Sequence, residues 1–229
     1  MKEIPMTEKT HDPVNQVIVE IKDKEGINQL GLHSNKQWFE DPKHLLFSMS
    51  RYKFVSKMLS GSKQVAEVGC GDGFNARIVL QEVDELSLYD IDPMFVENAK
   101  ANCQAPWACD AAVHDITQGP LHRQFDACYS LDMLEHIDQN QEHNAITNLC
   151  DSINENGILL IGMPSIESQQ FSKPAEITGH INCKSGNDFR DLMKQYFHHV
   201  FLFSMNDEIV HTGYVKMAHY IFCLCTNKR

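Results

Sequence analysis

Val65-Ala-Glu-Val-Gly-Cys-Gly-Asp-Gly-Phe74 is the stretch on which the reading of the fold turns. A short apolar run enters three glycines, Gly69, Gly71 and Gly73, and then a helical pattern containing Ala76, Ile78, Val79 and Leu80. Strand, tight turn and helix in that order make a cradle for a nucleotide-like cofactor. Glycine lets the backbone turn sharply and approach a ligand closely, and a helix N-terminus supplies unpaired N–H groups.

About twenty residues on, Leu86-Ser-Leu-Tyr-Asp-Ile-Asp-Pro93 reads as a second strand ending in acid. A carboxylate at that place accepts hydrogen bonds from ribose hydroxyls. The dinucleotide pattern G-x-G-x-x-G would put its third glycine at position 74, where this chain has Phe74; the glycine comes one residue early. Glu67 lies two residues before the first glycine, where its charge would repel a pyrophosphate and attract an ammonium or sulfonium group. The pattern favours a cationic cofactor over NAD.

Glu67-Val-Gly-Cys-Gly-Asp-Gly73, Asp90-Ile-Asp-Pro93, His114-Asp-Ile116 and Ser130-Leu-Asp-Met-Leu-Glu-His-Ile137 follow one another in order. Together they resemble the motifs of class I S-adenosylmethionine-dependent methyltransferases, and most of all the small-molecule group that includes the ubiquinone-biosynthesis O-methyltransferases. The resemblance covers residues 43–164. It implies S-adenosylmethionine as cofactor, S-adenosylhomocysteine as product, and a Rossmann-like, doubly wound α/β fold. The sheet would have seven strands, mostly parallel with an antiparallel C-terminal strand, and helices on both faces. It also implies cofactor contacts from Glu67, Gly69, Cys70, Gly71, Gly73, Asp90, Ile91 and Ser130. Asp115 would meet the adenine amino group, with Ile116 against the ring. Related enzymes place a residue of the helix before the first strand near the methionine carboxylate, which singles out Arg51 and Tyr52.

That helix opens at Asp41-Pro42, an N-cap followed by a proline at the first position. Leu45, Met49, Tyr52, Val55 and Leu59 recur at helical spacing, and Gly61 marks the end. Upstream, residues 1–40 read as an arm or lid. Val17–Ile21 reads as a short strand, and Trp38 and Phe39 either staple the arm to the core or cover the site. Downstream, Asp92-Pro93 caps the next helix, Ala111–Val113 and Asp126–Tyr129 are the third and fourth strands, and Ala145, Ile146, Leu149 and Ile153 mark a helix. The unbroken run Ile158–Ile161 is a buried fifth strand. Residues 164–185 form a polar substrate loop or lid, and Asn187 caps a further helix. Val200–Phe203 and Ala218–Cys225 supply the closing antiparallel pair. The methyltransferase domain thus spans 41–229.

In an open α/β sheet, ligands bind beyond the carboxyl ends of the strands. His136, after the fourth strand, and His211, on the 205–216 connection, fall on that rim, with His180 in the loop between them. Methyl transfer to a hydroxyl requires alignment and loss of a proton, and imidazole, with an ordinary pKa near neutrality, suits the second task. These three histidines are therefore the candidate bases. No metal is assigned. Asp132, Glu135 and His136 share one face if helical, and some ubiquinone-type relatives resemble this with Glu in the first position, where this chain has the shorter Asp. His198 and His199, adjacent on a strand, point opposite ways.

The net charge of −11 argues against nucleic acid or an anionic membrane as partner, since phosphate binding requires a basic face. The eight cysteines form no C-x-x-C pair and, with no secretory signal or long apolar run, read as small hydrophobes in a reducing cytoplasm. The leading expectation is a methyltransferase acting on a small polar acceptor, at a hydroxyl of a sugar derivative or phosphorylated metabolite. An N-methyltransferase of a small amine and a non-catalytic cofactor-binding module are the alternatives. Oligomeric state is not legible.

Overall fold

The computed structural model describes residues 8–104 and 106–229. The chain divides into two compact units, one running to Leu30 and the other Gly31–Arg229. In the first, Asp12 caps a 3-10 turn by accepting from the Val14 N–H at 3.0 Å, and helix α1 (Gln16–Glu25) follows. The strand expected over Val17–Ile21 is therefore part of a helix. A run of β-branched residues suggested extension, but the cap, the proline at 13 and Gly26 at φ +80° bracket a helix instead. Val17, Ile18 and Ile21, spaced for a helical face, are exposed.

The second unit begins with α2 (Leu32–Glu40) and α3 (Pro42–Met58). The Asp41 carboxylate accepts from the Lys43 N–H at 3.1 Å, so the expected N-cap starts α3. The strands are β1 (Gln64–Val68), β2 (Glu85–Asp90), β3 (Asp110–Val113), β4 (Phe125–Leu131), β5 (Ile153–Pro164), β6 (Phe197–Asn206), β7 (Ile209–His211) and β8 (Tyr220–Lys228). They form one sheet in the order β3-β2-β1-β4-β5-β8-β6-β7. The first five are mutually parallel, and β8 runs antiparallel to both β5 and β6.

The sheet has eight strands where seven were expected. The extra one arises because Asp207, at φ +49°, turns β6 back on itself so that Asn206 pairs with Ile209 and Ser204 with His211. Strand β5 is also longer than its apolar run and begins at Ile153, expected on the preceding helix but paired here with Phe125 of β4. A register shift against β4 carries the polar residues between Ile153 and Ile158 into the strand.

Side chains of the sheet alternate between two apolar clusters. Val65, Tyr129 and Leu160 pack with Tyr52 and Val55 of α3, with Leu59 just beyond it and with α4 (Ala76–Leu80). Ala66, Cys128 and Ile161 pack with α6 (Gln139–Asp151), which contributes Ile146 and Leu149. Between these, α5 (Pro93–Asn102) is capped by Asp92, and α7 (Pro174–Gly179) gives the 164–185 segment some helix. Helix α8 (Gly186–Met193) is capped by Ser185, two residues before the expected Asn187. Cys103, just beyond α5, is disulfide-bonded to Cys109. That corrects the reading of all eight cysteines as small hydrophobes; the other six are free thiols, five of them buried.

Candidate active site

The turn between β1 and α4 owes its shape to Gly69, Gly71 and Gly73, all at positive φ (82°, 53° and 66°), where a side chain would be strained. A Cβ on Gly69 would also stand 2.8 Å from the Met133 side chain. Asp90, the last residue of β2, fixes the turn from below: its carboxylate accepts from the Gly71 N–H at 2.8 Å and from the Asp92 N–H at 2.9 Å.

A cavity of about 680 Å³ opens over this turn, at the carboxyl ends of the parallel strands. Ligand pockets span about 300–1,000 Å³. Of the residues expected to hold the cofactor, Tyr52, Gly69, Cys70, Gly71, Asp90, Ile91, Asp115 and Ile116 line it, and His136 stands on its wall. Asp115 also caps its own turn, accepting from the Thr117 N–H at 2.9 Å.

Arg51, Glu67, Gly73 and Ser130 do not line the cavity, nor do His180 and His211. Glu67 is fully buried beneath the turn, where its two oxygens accept from the hydroxyls of Tyr52 (2.5 Å) and Tyr129 (2.7 Å). Burial outweighs these bonds and pushes its pKa up to about 8, so the carboxyl does not present the charge that its position in sequence suggested. Gly73 serves packing: a Cβ there would meet Ala99 of α5 at 3.0 Å. Ser130 is buried with its hydroxyl unpartnered.

Arg51 is buried with its guanidinium 4.0 Å over the Tyr220 ring, and it donates to Asp132 at 2.6 Å. Asp132 itself sits at φ +54°, an uncommon conformation for a residue other than glycine and one that accompanies functional sites. The expected helical face shared by Asp132, Glu135 and His136 therefore does not form. Positive φ at Asp132 breaks the spacing, and Leu134–His136 is a single 3-10 turn.

His136 and His180 come together, with ring centroids 5.1 Å apart. His211 lies on β7, held by Asn206 at 2.9 Å, away from both. The 205–216 connection does leave the carboxyl end of β6 as expected, but the hairpin turns this histidine aside. Burial first, and then the Asp132 charge, push the Glu135 carboxyl well above the usual carboxylate range.

Sequence reasoning missed the contribution of α2. Trp38 and Phe39, the residues that drew notice, are exposed and do not line the cavity; His33 and Ser34 do. The Ser34 N–H donates to Asp72 at 2.7 Å, which ties the first turn of α2 to the glycine turn. Asn75, bonded to Ser48 at 3.1 Å, and Phe95 were missed as well. The acid within Gly71-Asp72-Gly73 was a visible signal; His33 and Ser34 left none.

Residues 65–157 match the family model described as a methyltransferase domain. Residues 65–157 thus form a methyltransferase domain, and the fold around them is shared with S-adenosylmethionine-dependent methyltransferases. Solved structures of that fold superpose along most of this methyltransferase. The N-methyltransferase NodS from Bradyrhizobium japonicum WM9, in complex with S-adenosyl-L-homocysteine, is 15% identical with a TM-score of 0.63, covering 83% of this chain and 90% of its own. A Thermotoga maritima protein described as a possible histamine N-methyltransferase is 16% identical with a TM-score of 0.66, covering 86% and 96%. The DhpI–SAH complex is 10% identical with a TM-score of 0.61, covering 85% and 91%. None of the curated proteins matches by sequence. Among the described residues, no helix is long and apolar enough to cross a membrane.

Proposed function

We propose that this methyltransferase moves the methyl group of S-adenosylmethionine to a hydroxyl of a small neutral polar acceptor, such as a sugar derivative, by in-line displacement. The supporting observation is one continuous cavity whose wall runs from the glycine turn, Asp90 and Asp115 to His136. In this reading the Gly69–Gly71 backbone meets the methionine end, with Tyr52 beside it. Asp90 takes the ribose, and Asp115 with Ile116 takes the adenine. The acceptor's oxygen lies by His136, the sole one of the three candidate histidines on the wall.

The sulfonium is already an activated leaving group, so the protein's task is alignment, exclusion of water and handling of the acceptor proton. Alignment can contribute up to about 7–11 kcal/mol. The cavity wall carries Asp72, Asp90, Asp92, Asp115, Asp132 and Asp138, and among the described residues no Lys or Arg lines it. Such a field attracts a sulfonium and opposes a phosphate, which weighs against a phosphorylated acceptor. The same field suits a cationic amine, and that observation supports N-methylation as the second reading.

Calorimetry with S-adenosylhomocysteine tests the cofactor assignment. Asp90→Ala should weaken binding by about 1.5–3 kcal/mol, the range for hydrogen bonds to a charged group. Unchanged affinity in a folded variant would place the ribose elsewhere. Product release measured against matched panels of neutral polyols and amines separates oxygen from nitrogen as acceptor, and turnover of neither panel would argue for a binding module.

A further inference from the structure

The disulfide Cys103–Cys109 lies where two elements that both reach the cavity meet. Cys103 directly follows α5, and Cys109 directly precedes β3. From Cys103, α5 runs back along the glycine turn. Phe95 lines the cavity, the Asn98 side-chain oxygen accepts from the Leu32 N–H at 2.8 Å, and Ala99 lies against Gly73. The Asn102 amide donates to the Asp72 carbonyl at 2.8 Å. Positions 95, 98, 99 and 102 recur at three and four residues, so one helical face meets the cradle. From Cys109, β3 runs forward to His114, Asp115 and Ile116 on the cavity wall.

Little besides the disulfide fixes this corner. Strand β3 is an edge of the sheet; it pairs with β2 alone over four residues, three of them exposed. Among the described residues of the 103–109 span, the Trp107 N–H donates to the Gln104 carbonyl at 2.9 Å and the Gln104 amide to the Lys100 carbonyl at 2.8 Å. The Arg77 guanidinium lies over the Trp107 ring at 5.4 Å. Cys103 is buried, whereas Cys109 is half-buried between exposed Ala108 and Asp110, which opens the bridge to a thiolate from the Cys109 side.

We propose that this disulfide is a redox switch on cofactor affinity. Oxidised, it holds α5 and β3 in the arrangement that shapes the cavity; reduced, it lets the edge strand and the end of α5 loosen and weakens the hold on S-adenosylmethionine. The switch rests on the cofactor reading above. A cross-link removes alternatives to the folded arrangement, and an edge strand with a single neighbour has the most alternatives to lose.

The co-reactant is a dithiol. One of its sulfurs, as thiolate, attacks Cys109 Sγ; the S–S bond breaks, and the electron pair leaves on Cys103 Sγ, which takes a proton. The second sulfur of the dithiol then attacks the first and frees Cys109 as a thiol. The protein gains two electrons and two protons, and the dithiol closes into a cyclic disulfide. The other six cysteines are already thiols, so the exchange changes this pair alone.

The full chain would be titrated with S-adenosylhomocysteine by calorimetry, once oxidised and once equilibrated with excess dithiothreitol. The thiol count, taken in denaturant after alkylation of each state, should rise from six to eight. Affinity should fall by about fivefold or more, the lower end of coupling between linked sites. By reciprocity, saturating S-adenosylhomocysteine should raise the ratio of reduced to oxidised dithiothreitol at half-reduction by the same factor. Cys103→Ala combined with Cys109→Ala should bind with the reduced affinity whether or not the dithiol is present. Should that variant fail to fold, the two wild-type titrations decide alone. Equal affinities with eight thiols counted, a count that stays at six, or a double variant that still responds to the dithiol would overturn the proposal. Unfolding on reduction, read by circular dichroism, would overturn it too, since the bridge would then be a structural staple. Binding to neither state of a folded wild type would instead overturn the cofactor reading beneath it.

Discussion

Glu67→Gln is the substitution that most directly tests how the glycine turn is supported. Glu67 is fully buried and bonded by Tyr52 and Tyr129, and burial raises its pKa from 4.5 to about 8. Between those two values the folded chain holds a proton that the unfolded chain has released. Its contribution is therefore fully present below pH 4.5 and is lost as pH rises toward 8. At about 1.4 kcal/mol per pH unit, the whole interval amounts to roughly 4–5 kcal/mol, a large share of a domain's stability. Glutamine is a neutral near-isostere of the protonated acid: its oxygen accepts from one tyrosine hydroxyl, and the other hydroxyl turns to accept from the amide. It does not titrate. Urea unfolding of both proteins at pH 5, 6, 7 and 8 should give a difference that grows in the variant's favour by about 1.4 kcal/mol per pH unit. Other titrating groups cancel in that difference. A gap that stays constant with pH would refute the reasoning, because Glu67 would then be ionised in both states or protonated in both.

Asp132→Asn should cost about 2–4 kcal/mol in urea unfolding, since it leaves the buried Arg51 guanidinium unpaired; the partial exposure of Asp132 keeps the figure below that of a fully buried pair. Adding Arg51→Met should recover most of that loss, and a double variant as unstable as the sum would show that the pair is not coupled. Cys103→Ser should lower stability by about 2 kcal/mol under non-reducing conditions, and wild type treated with a reductant should fall to the same level.

What was legible in the sequence was local. Asp41-Pro42 and Asp92-Pro93 announce α3 and α5 because a cap and a proline act within one turn, and the glycine turn with Asp90 announces the cavity floor. Signals that depend on partners distant in sequence were not legible. Val17–Ile21 carries the composition of a strand, yet it lies in a helix between a capped 3-10 turn and Gly26. Strand β7 exists because β6 doubles back, and Cys103 meets Cys109 without any spacing that marks a pair. In the site, Asp132 and Glu135 were taken together by spacing. The structure keeps them near one another but off a common helical face, because the conformation of Asp132 and the reach of Arg51 cannot be read from a string. His180 joins His136 through contacts that 44 positions of sequence conceal, and His211, equally plausible on paper, is turned away by its hairpin.

The bond between Ser34 and Asp72 bears on how this enzyme can be altered. A Cβ at Gly31 would stand 2.2 Å from the Asp72 carboxyl carbon, and the Leu32 N–H is held by Asn98 at 2.8 Å. Glycine at 31 and aspartate at 72 thus form one unit split between two distant segments. Grafting the leading helix of a relative onto this scaffold would keep a backbone donor at position 34, but any residue other than glycine at 31 would drive a methyl group into Asp72. A chimaera joined at residue 41 requires position 72 to be exchanged along with it.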